Sequence, residues 1–243
     1  MKRTLNFASR NIKELIRDPL SSIFALVLPL FLLWIFQQFK IPNEAYIISN
    51  FTPGIIVFGF SFITMFTAVL VSKDRSSSLL LRLSASPMKS YEYVLGYFLS
   101  SMPIVVIQIV LFILLAMILG LNFSVNLLLA LLVGVVVSLL FIAFGILLGS
   151  LVGDKSAPGV ASVIVQLVAF TSGMWFSSDM VGGFFATLCN ALPFKYCVDI
   201  LKGIINGNYD NILLAFIVFF AYLIVVTLLS VIFFNKSLKS DKK

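Results

Sequence analysis

The sequence predicts an all-α polytopic membrane protein: six transmembrane helices, an N-terminal interfacial amphipathic helix, and an outer re-entrant hairpin between spans five and six. Three observations predict it. Apolar runs at 20–39, 53–72, 97–119, 125–152, 157–176 and 212–234 each hold about 20 or more residues without a charge, enough for a helix to cross a hydrocarbon core of about 30 Å. Hydrophobic residues make up 60% of the chain and charged residues 11%, against roughly 45–50% and 25% in soluble domains. Lys and Arg divide fourteen to three between alternate sets of gaps, so the positive-inside rule places both termini in the cytoplasm. The runs lack a period of two, which argues against a lipid-facing β-barrel.

Residues 1–19 read as an interfacial helix. Leu5, Ala8, Ile12, Leu15 and Ile16 recur at helical spacing, while Ser9, Arg10, Lys13, Glu14 and Arg17 take the other face. A basic face opposite an apolar stripe suits the headgroup layer, the alternative being a solvated basic tail. Pro19 cannot continue the hydrogen-bond ladder and separates this helix from the first span. That span starts only after Pro19 and is followed by no small-x-small cleavage pattern, so it reads as a retained span and not a signal peptide.

The second gap, 73–92, is short, cytoplasmic and dense in charge. Lys73, Asp74 and Arg75 at mid-bilayer would cost about 8–10 kcal/mol if additive, so they mark the end of the second span. Ser76, Ser77 and Ser78 suit the N-cap of a short helix over 79–85, ended by Pro87. Leu79, Leu80 and Leu83 give that helix an apolar face, either packed back on the bundle or offered to a partner.

The fourth gap carries a near match to a phosphate-binding loop, Gly149 to Ser156. Asp154 stands where the second glycine is required, and no strand precedes it, so it reads as a plain turn. Gly145, Gly149 and Gly153 form a small-xxx-small ladder, a device for close helix packing within one subunit or across an oligomer.

Residues 179–210 form the outer re-entrant segment. Phe184, Phe185, Leu188 and Leu192 precede Pro193, and Val198, Ile200, Leu201, Ile204 and Ile205 follow it. Each half is too short to span, and Gly173, Gly182 and Gly183 supply breaks. The only cysteines, Cys189 and Cys197, both fall here. Eight residues of unbroken helix would hold them about 12 Å apart, so two free thiols is the default, with Pro193 leaving a fold-back and a disulfide open.

The chemistry-bearing residues are few. The chain has no His, which removes the commonest general base and metal ligand, and no catalytic, cofactor or metal site is expected. No run contains Asp, Glu, Lys or Arg; away from the run ends, Gln108, Gln166 and scattered Ser and Thr are the polar groups. Ion-coupled carriers need intramembrane ionisable groups, so the energy for any transport lies outside this chain. Phe58, Phe62, Met65 and Phe66 share one face of the second span, and Gln166, Phe170 and Gly173 one face of the fifth. Such stripes line a cavity or simply face lipid and neighbouring helices. The net charge of +7 flanks spans, which points to anionic headgroups or an acidic cytosolic partner, with no nucleic acid. With no internal repeat or linker, residues 1–243 read as one domain.

Four stretches stand in a fixed order: the interfacial helix ending Arg17-Asp18-Pro19, then Phe51-Thr52-Pro53-Gly54, then the cytoplasmic Asp74-Arg75…Leu79…Arg82-Leu83…Ser86-Pro87, and last Ser172-Gly173…Leu192-Pro193…Asp199…Lys202. In these the whole chain resembles the membrane subunit of type-2 ABC exporters, the permease family that includes drug-resistance exporters. The sequence departs where Ser76, Ser77 and Ser78 replace the middle of the family's Glu-Arg-Glu-x-Gly-Thr-Leu-Glu, at Arg82, and where 172–179 lacks a Pro after its aromatic pair. The resemblance implies a half-transporter in the cytoplasmic membrane, paired with a second permease as homo- or heterodimer. A separate cytosolic ABC ATPase would bind ATP and Mg, and no cofactor is expected on this chain. The ATPase-coupling residues would be Asp74, Arg75, Leu79, Arg82, Leu83, Ser86 and Pro87, and the substrate path Phe58, Phe62, Phe66, Gln166 and Phe170. The cargo implied is an apolar or amphipathic compound such as a drug, antibiotic or lipid; alternatives are a polysaccharide-exporting relative and a non-transporting immunity or assembly protein.

Overall fold

The computed structural model describes residues 2–17, 19–39, 41–77, 88–175, 182–210 and 212–240. These residues are helical, with no strand among them. The helices are α1 (Lys2–Arg17), α2 (Pro19–Gln38), α3 (Ile48–Ser76), α4 (Ser90–Ile118), α5 (Val125–Leu151), α6 (Ala157–Thr171), α7 (Gly183–Ala191), α8 (Pro193–Asn206) and α9 (Ile212–Ser240). A short 3-10 turn, Glu44–Tyr46, precedes α3, with Asn43 Oδ1 accepting the Ala45 amide at 2.9 Å.

Four of these, α3, α4, α5 and α9, are each long and apolar enough to cross a bilayer. Three of them, α3, α4 and α9, are longer than the apolar stretches that predict them, and α5 matches its stretch to within a residue. α3 carries Lys73, Asp74 and Arg75 in its last turn. α4 starts at Ser90, where Glu92 Oε2 accepts the Lys89 amide at 2.7 Å and satisfies a donor that the first turn leaves open. α6 is shorter than its run: it stops at Thr171, followed by Gly173 at φ 79°, a left-handed conformation that suits glycine. The described apolar part of α2 is likewise short, Leu26–Gln38.

The bundle is built around α3, whose most apolar stretch is 83% buried. It packs against α2, α4, α5, α6 and α8. Small residues set the closest approach. A Cβ on Gly145 would lie 2.5 Å from Thr67 Cβ, and one on Gly149 2.5 Å from the Ala68 carbonyl oxygen. Two steps of the glycine ladder therefore pack within one subunit. Gly153 lies beyond the end of α5 in open space and takes no part. The outer sides of α4 and α9 expose Leu95, Ile107, Leu114, Leu213, Ile224 and Leu228, an apolar surface fit for lipid and not for water.

Where the sequence predicts a hairpin, two helices, α7 and α8, are bent by 73° at Leu192. Phe194 at the start of α8 packs on Phe141 and Phe144, with ring centroids 6.0 and 5.9 Å away. Tyr222, ten residues into α9, donates to the Ala191 carbonyl, so the elbow lies about 15 Å along α9 from its start. The other end of α8 returns to the start of α3, where Asn206 Nδ2 donates to Asn50 Oδ1 at 3.0 Å. Gly207, at φ 67°, closes α8 in a left-handed turn, with the Asn208 amide donating to the Gly203 carbonyl at 2.9 Å. Cys189 and Cys197 are both free and buried.

Candidate functional site

A charge cluster where α1 crosses the end of α3 is the best-defined polar site among the described residues. Asp74 is 0% exposed. A buried carboxylate is tolerated only where charge and hydrogen bonds replace its lost water, and two helices supply them. Arg10 Nη1 of α1 lies 2.6 Å from Asp74 Oδ1, and Tyr97 of α4 donates its hydroxyl to Asp74 Oδ2 at 2.8 Å. Arg10 also donates to Asn11 Oδ1 at 2.9 Å and pairs with Glu14 one turn on. Glu14 in turn receives Lys73 at 3.2 Å. Four side chains, Arg10, Glu14, Lys73 and Asp74, thus hold α1 to α3, with α4 supplying the second donor to the carboxylate.

An aromatic cluster seats α1 beside these charges. The Phe7 ring meets Tyr93 and Tyr97 edge-on, at centroid distances of 5.4 and 5.1 Å. Gly96 makes room: a Cβ there would lie 2.5 Å from Phe7 Cδ1. Phe234 of α9 approaches the same two tyrosines at 6.1 and 5.9 Å. The buried face of α1 is Thr4, Phe7, Ala8, Asn11 and Leu15. This docked face differs from the stripe read from sequence as facing the headgroup layer, of which Leu5 is 55% exposed and Ile12 half-buried. Phe7 has the larger apolar area and decides which face docks.

Arg75 points the other way, to α5. Its Nη1 donates to the carbonyls of Gly149, Ser150 and Val152 at 3.0, 2.7 and 3.2 Å. These carbonyls lie at the C-terminal end of α5, where acceptors lack helical partners and the helix dipole favours a cation. Gly149 to Leu151 are helical and Gly153 to Ser156 form the following turn, so the near phosphate-loop sequence is a helix end held by an arginine. Ser76 and Ser77 bond back to the carbonyls of Lys73 and Asp74 at 3.1 and 3.3 Å. These two serines finish α3.

Of the expected coupling residues, Asp74 and Arg75 fall in this site. Leu79, Arg82, Leu83, Ser86 and Pro87, with the helix expected over 79–85, lie outside the described residues. The expected substrate-path residues divide between two helices. Phe58 and Phe62 meet edge-on at 5.3 Å, and Phe66 is buried on the same side of α3. On α6 the buried residues are Ala157, Ala161, Val165, Val168 and Thr171. Gln166 and Phe170 lie on its exposed side, Phe170 at 52% exposure. Among the described ring contacts of one chain, none joins Phe170 to the α3 phenylalanines. No group of His, Cys, Asp or Glu among the described residues has the spacing of a metal site.

Sequence reasoning missed Phe7, Gly96 and Tyr97. The available signal was the arrangement Thr4-x-x-Phe7-Ala8-x-x-Asn11, a helical face whose largest member is aromatic.

One family model, described as ABC-2 type transporter, matches residues 4–206. A comparison with curated proteins returns no match.

Proposed function

The chain belongs to the ABC-2 type transporter family, and on that premise we propose that it is the permease half of an ATP-driven exporter. It would carry apolar or amphipathic compounds, a drug, antibiotic or lipid, out across the cytoplasmic membrane. Six crossings with both termini cytoplasmic would be made by α2, α3, α4, α5, α6 and α9, with α7 and α8 re-entrant from the outer side. ATP and Mg would bind a separate cytosolic ATPase, and a second permease subunit would complete the pathway.

The observation that supports this most is the Arg10–Asp74–Tyr97 cluster immediately before residues 78–87. A force delivered to that segment by an ATPase would reach α3 through its last turn, α1 through Arg10, and α5 through Arg75. A charge-assisted bond to a buried carboxylate is stiff, because breaking it leaves the Asp74 charge unpaired and out of water. The aromatic face of α3 and the exposed Gln166 and Phe170 of α6 would line the path across a dimer, since the two sets do not converge in one chain. Uncharged span interiors suit apolar cargo.

The test is purification of the chain in detergent together with any ATPase encoded beside it, followed by ATPase assays across apolar and polar compounds. A co-purifying ATPase stimulated by amphipathic compounds supports the exporter. Stimulation by oligosaccharides alone would favour the polysaccharide relative, and absence of any associated ATPase would favour the immunity or assembly alternative.

A further inference from the structure

The end of the bundle away from Asp74 holds a polar feature that transport as proposed does not use. Between α8 and the first turn of α9 lies a cavity of about 670 Å³ that reaches Asn50 at the start of α3. Asp74 is 24 residues further along the same helix, about 36 Å away by helical rise. Lys195, Asp199, Lys202 and Asn206 recur every three or four residues on α8, so they share one face, and all four line the cavity. Asp210 enters from the α8–α9 connection, which the turn at Gly207 folds back. Lys195 Nζ is held by Asn190 Oδ1 at 2.7 Å.

Two properties define what fits. The lining charges are two lysines and two aspartates, so their sum is zero while both signs are presented, which suits a ligand carrying both. The wall formed by α9 is apolar: Ile212, Leu214 and Ala215 line the cavity, and Ile217, one turn from Leu214, is exposed. Tyr196 lines the cavity and Tyr209 is exposed nearby; amphipathic rings of this kind concentrate at the membrane–water boundary. Ionisable groups beside membrane-facing apolar residues point to a polar ligand held at that boundary.

We propose that this cavity binds the zwitterionic headgroup of an outer-leaflet lipid that carries a phosphate and a primary ammonium. Lys202 and Lys195 receive the phosphate, Asp199 and Asp210 the ammonium, and an acyl chain continues along Leu214 and Ile217. The inference rests on the membrane placement proposed above, and needs neither the ATPase nor any cargo. Free phosphoethanolamine offers the same polar groups without the chain, so the experiment separates the two sources.

The purified full chain, held in detergent, is titrated with phosphatidylethanolamine, phosphatidylglycerol and phosphatidylcholine, and retained lipid is read by native mass spectrometry. Phosphatidylethanolamine is expected to bind about tenfold more tightly than the other two, the scale of one charge-assisted hydrogen bond. Asp199→Asn should weaken that preference and raise retention of phosphatidylglycerol, because the site becomes net positive. Lys202→Gln should weaken both and carries the comparison if Asp199→Asn does not fold. Equal retention of all three lipids by the wild type, or unchanged preference in a folded variant, overturns the proposal. Displacement of the lipid by soluble phosphoethanolamine at equal concentration overturns its lipid source.

Discussion

Arg10 Nη1 of α1 stands 2.6 Å from Asp74 Oδ1 of α3, across 64 residues of sequence, and the carboxylate it meets is 0% exposed. Removing one partner of such a pair leaves a buried charge uncompensated, at a cost of about 3–5 kcal/mol. Arg10 is partly solvated, which puts Arg10→Gln toward the lower end. Arg10→Gln and Asp74→Asn should each lower thermal stability in detergent, and the double variant should lose less than the two losses added. Simple additivity in that cycle would show that the two groups do not interact.

Tyr97 tests the second donor to the same carboxylate. Tyr97→Phe keeps the edge-on contact with Phe7 and deletes one hydroxyl, for an expected loss of about 1–3 kcal/mol. Gly96→Ala acts by a different route, driving a methyl group into the Phe7 ring. It should release α1 from the bundle, read as protease sensitivity near residues 1–19, while Tyr97→Phe leaves α1 protected.

The helix positions were legible because about twenty uncharged residues admit few alternatives in a chain this apolar. Their ends were less so. Apolar counting stops α3 at Ser72, yet the helix runs to Ser76 because Asp74 and Arg75 find partners on α1, α4 and α5 within the fold. Such partners are 23 to 77 residues distant in sequence, and no local pattern announces them. The face of α1 that docks on the bundle was not legible: Phe7 fits the space left at Gly96, while Leu5, from the stripe read as facing the headgroups, stays exposed. Gly145 and Gly149 were legible as a packing pair from spacing alone. Gly153 had the same spacing but follows the helix end at Leu151, where the ladder has nothing to face.

The glycine pair gives a sharp contrast. Gly145→Ala and Gly149→Ala place a Cβ 2.5 Å from Thr67 and from the backbone of Ala68, so each should cost about 1–3 kcal/mol by overpacking. Gly153→Ala meets nothing within 4 Å and should melt like the wild type. Equal tolerance at all three positions would argue that α3 and α5 do not approach this closely.

Topology is checked by single cysteines. Substitutions at Asn43 or Asn208 should react with an impermeant reagent applied outside, and those at Ser77 or Ser240 only after permeabilisation. The native Cys189 and Cys197 are buried, so background labelling should be slow. The reverse pattern would invert the orientation drawn from the fourteen-to-three division of basic residues.

For the substrate path, Phe170 is the informative position. At 52% exposure, Phe170→Ala removes little packing from one chain, so stability should hold while the set of compounds that stimulate ATPase shifts. Phe58→Ala should shift the same set but also melt lower, because Phe58 is buried. An unchanged compound profile in both variants would assign these rings to helix and lipid packing.

The proposed ATP-driven coupling through residues 73–92 is tested most directly by Leu79→Asp combined with Leu83→Asp, measured as compound-stimulated ATPase activity of the purified permease–ATPase complex. The variant should insert and melt like the wild type yet lose the associated ATPase or its stimulation, because two carboxylates would enter an apolar contact. Full stimulation in a stable, inserted variant would contradict the account.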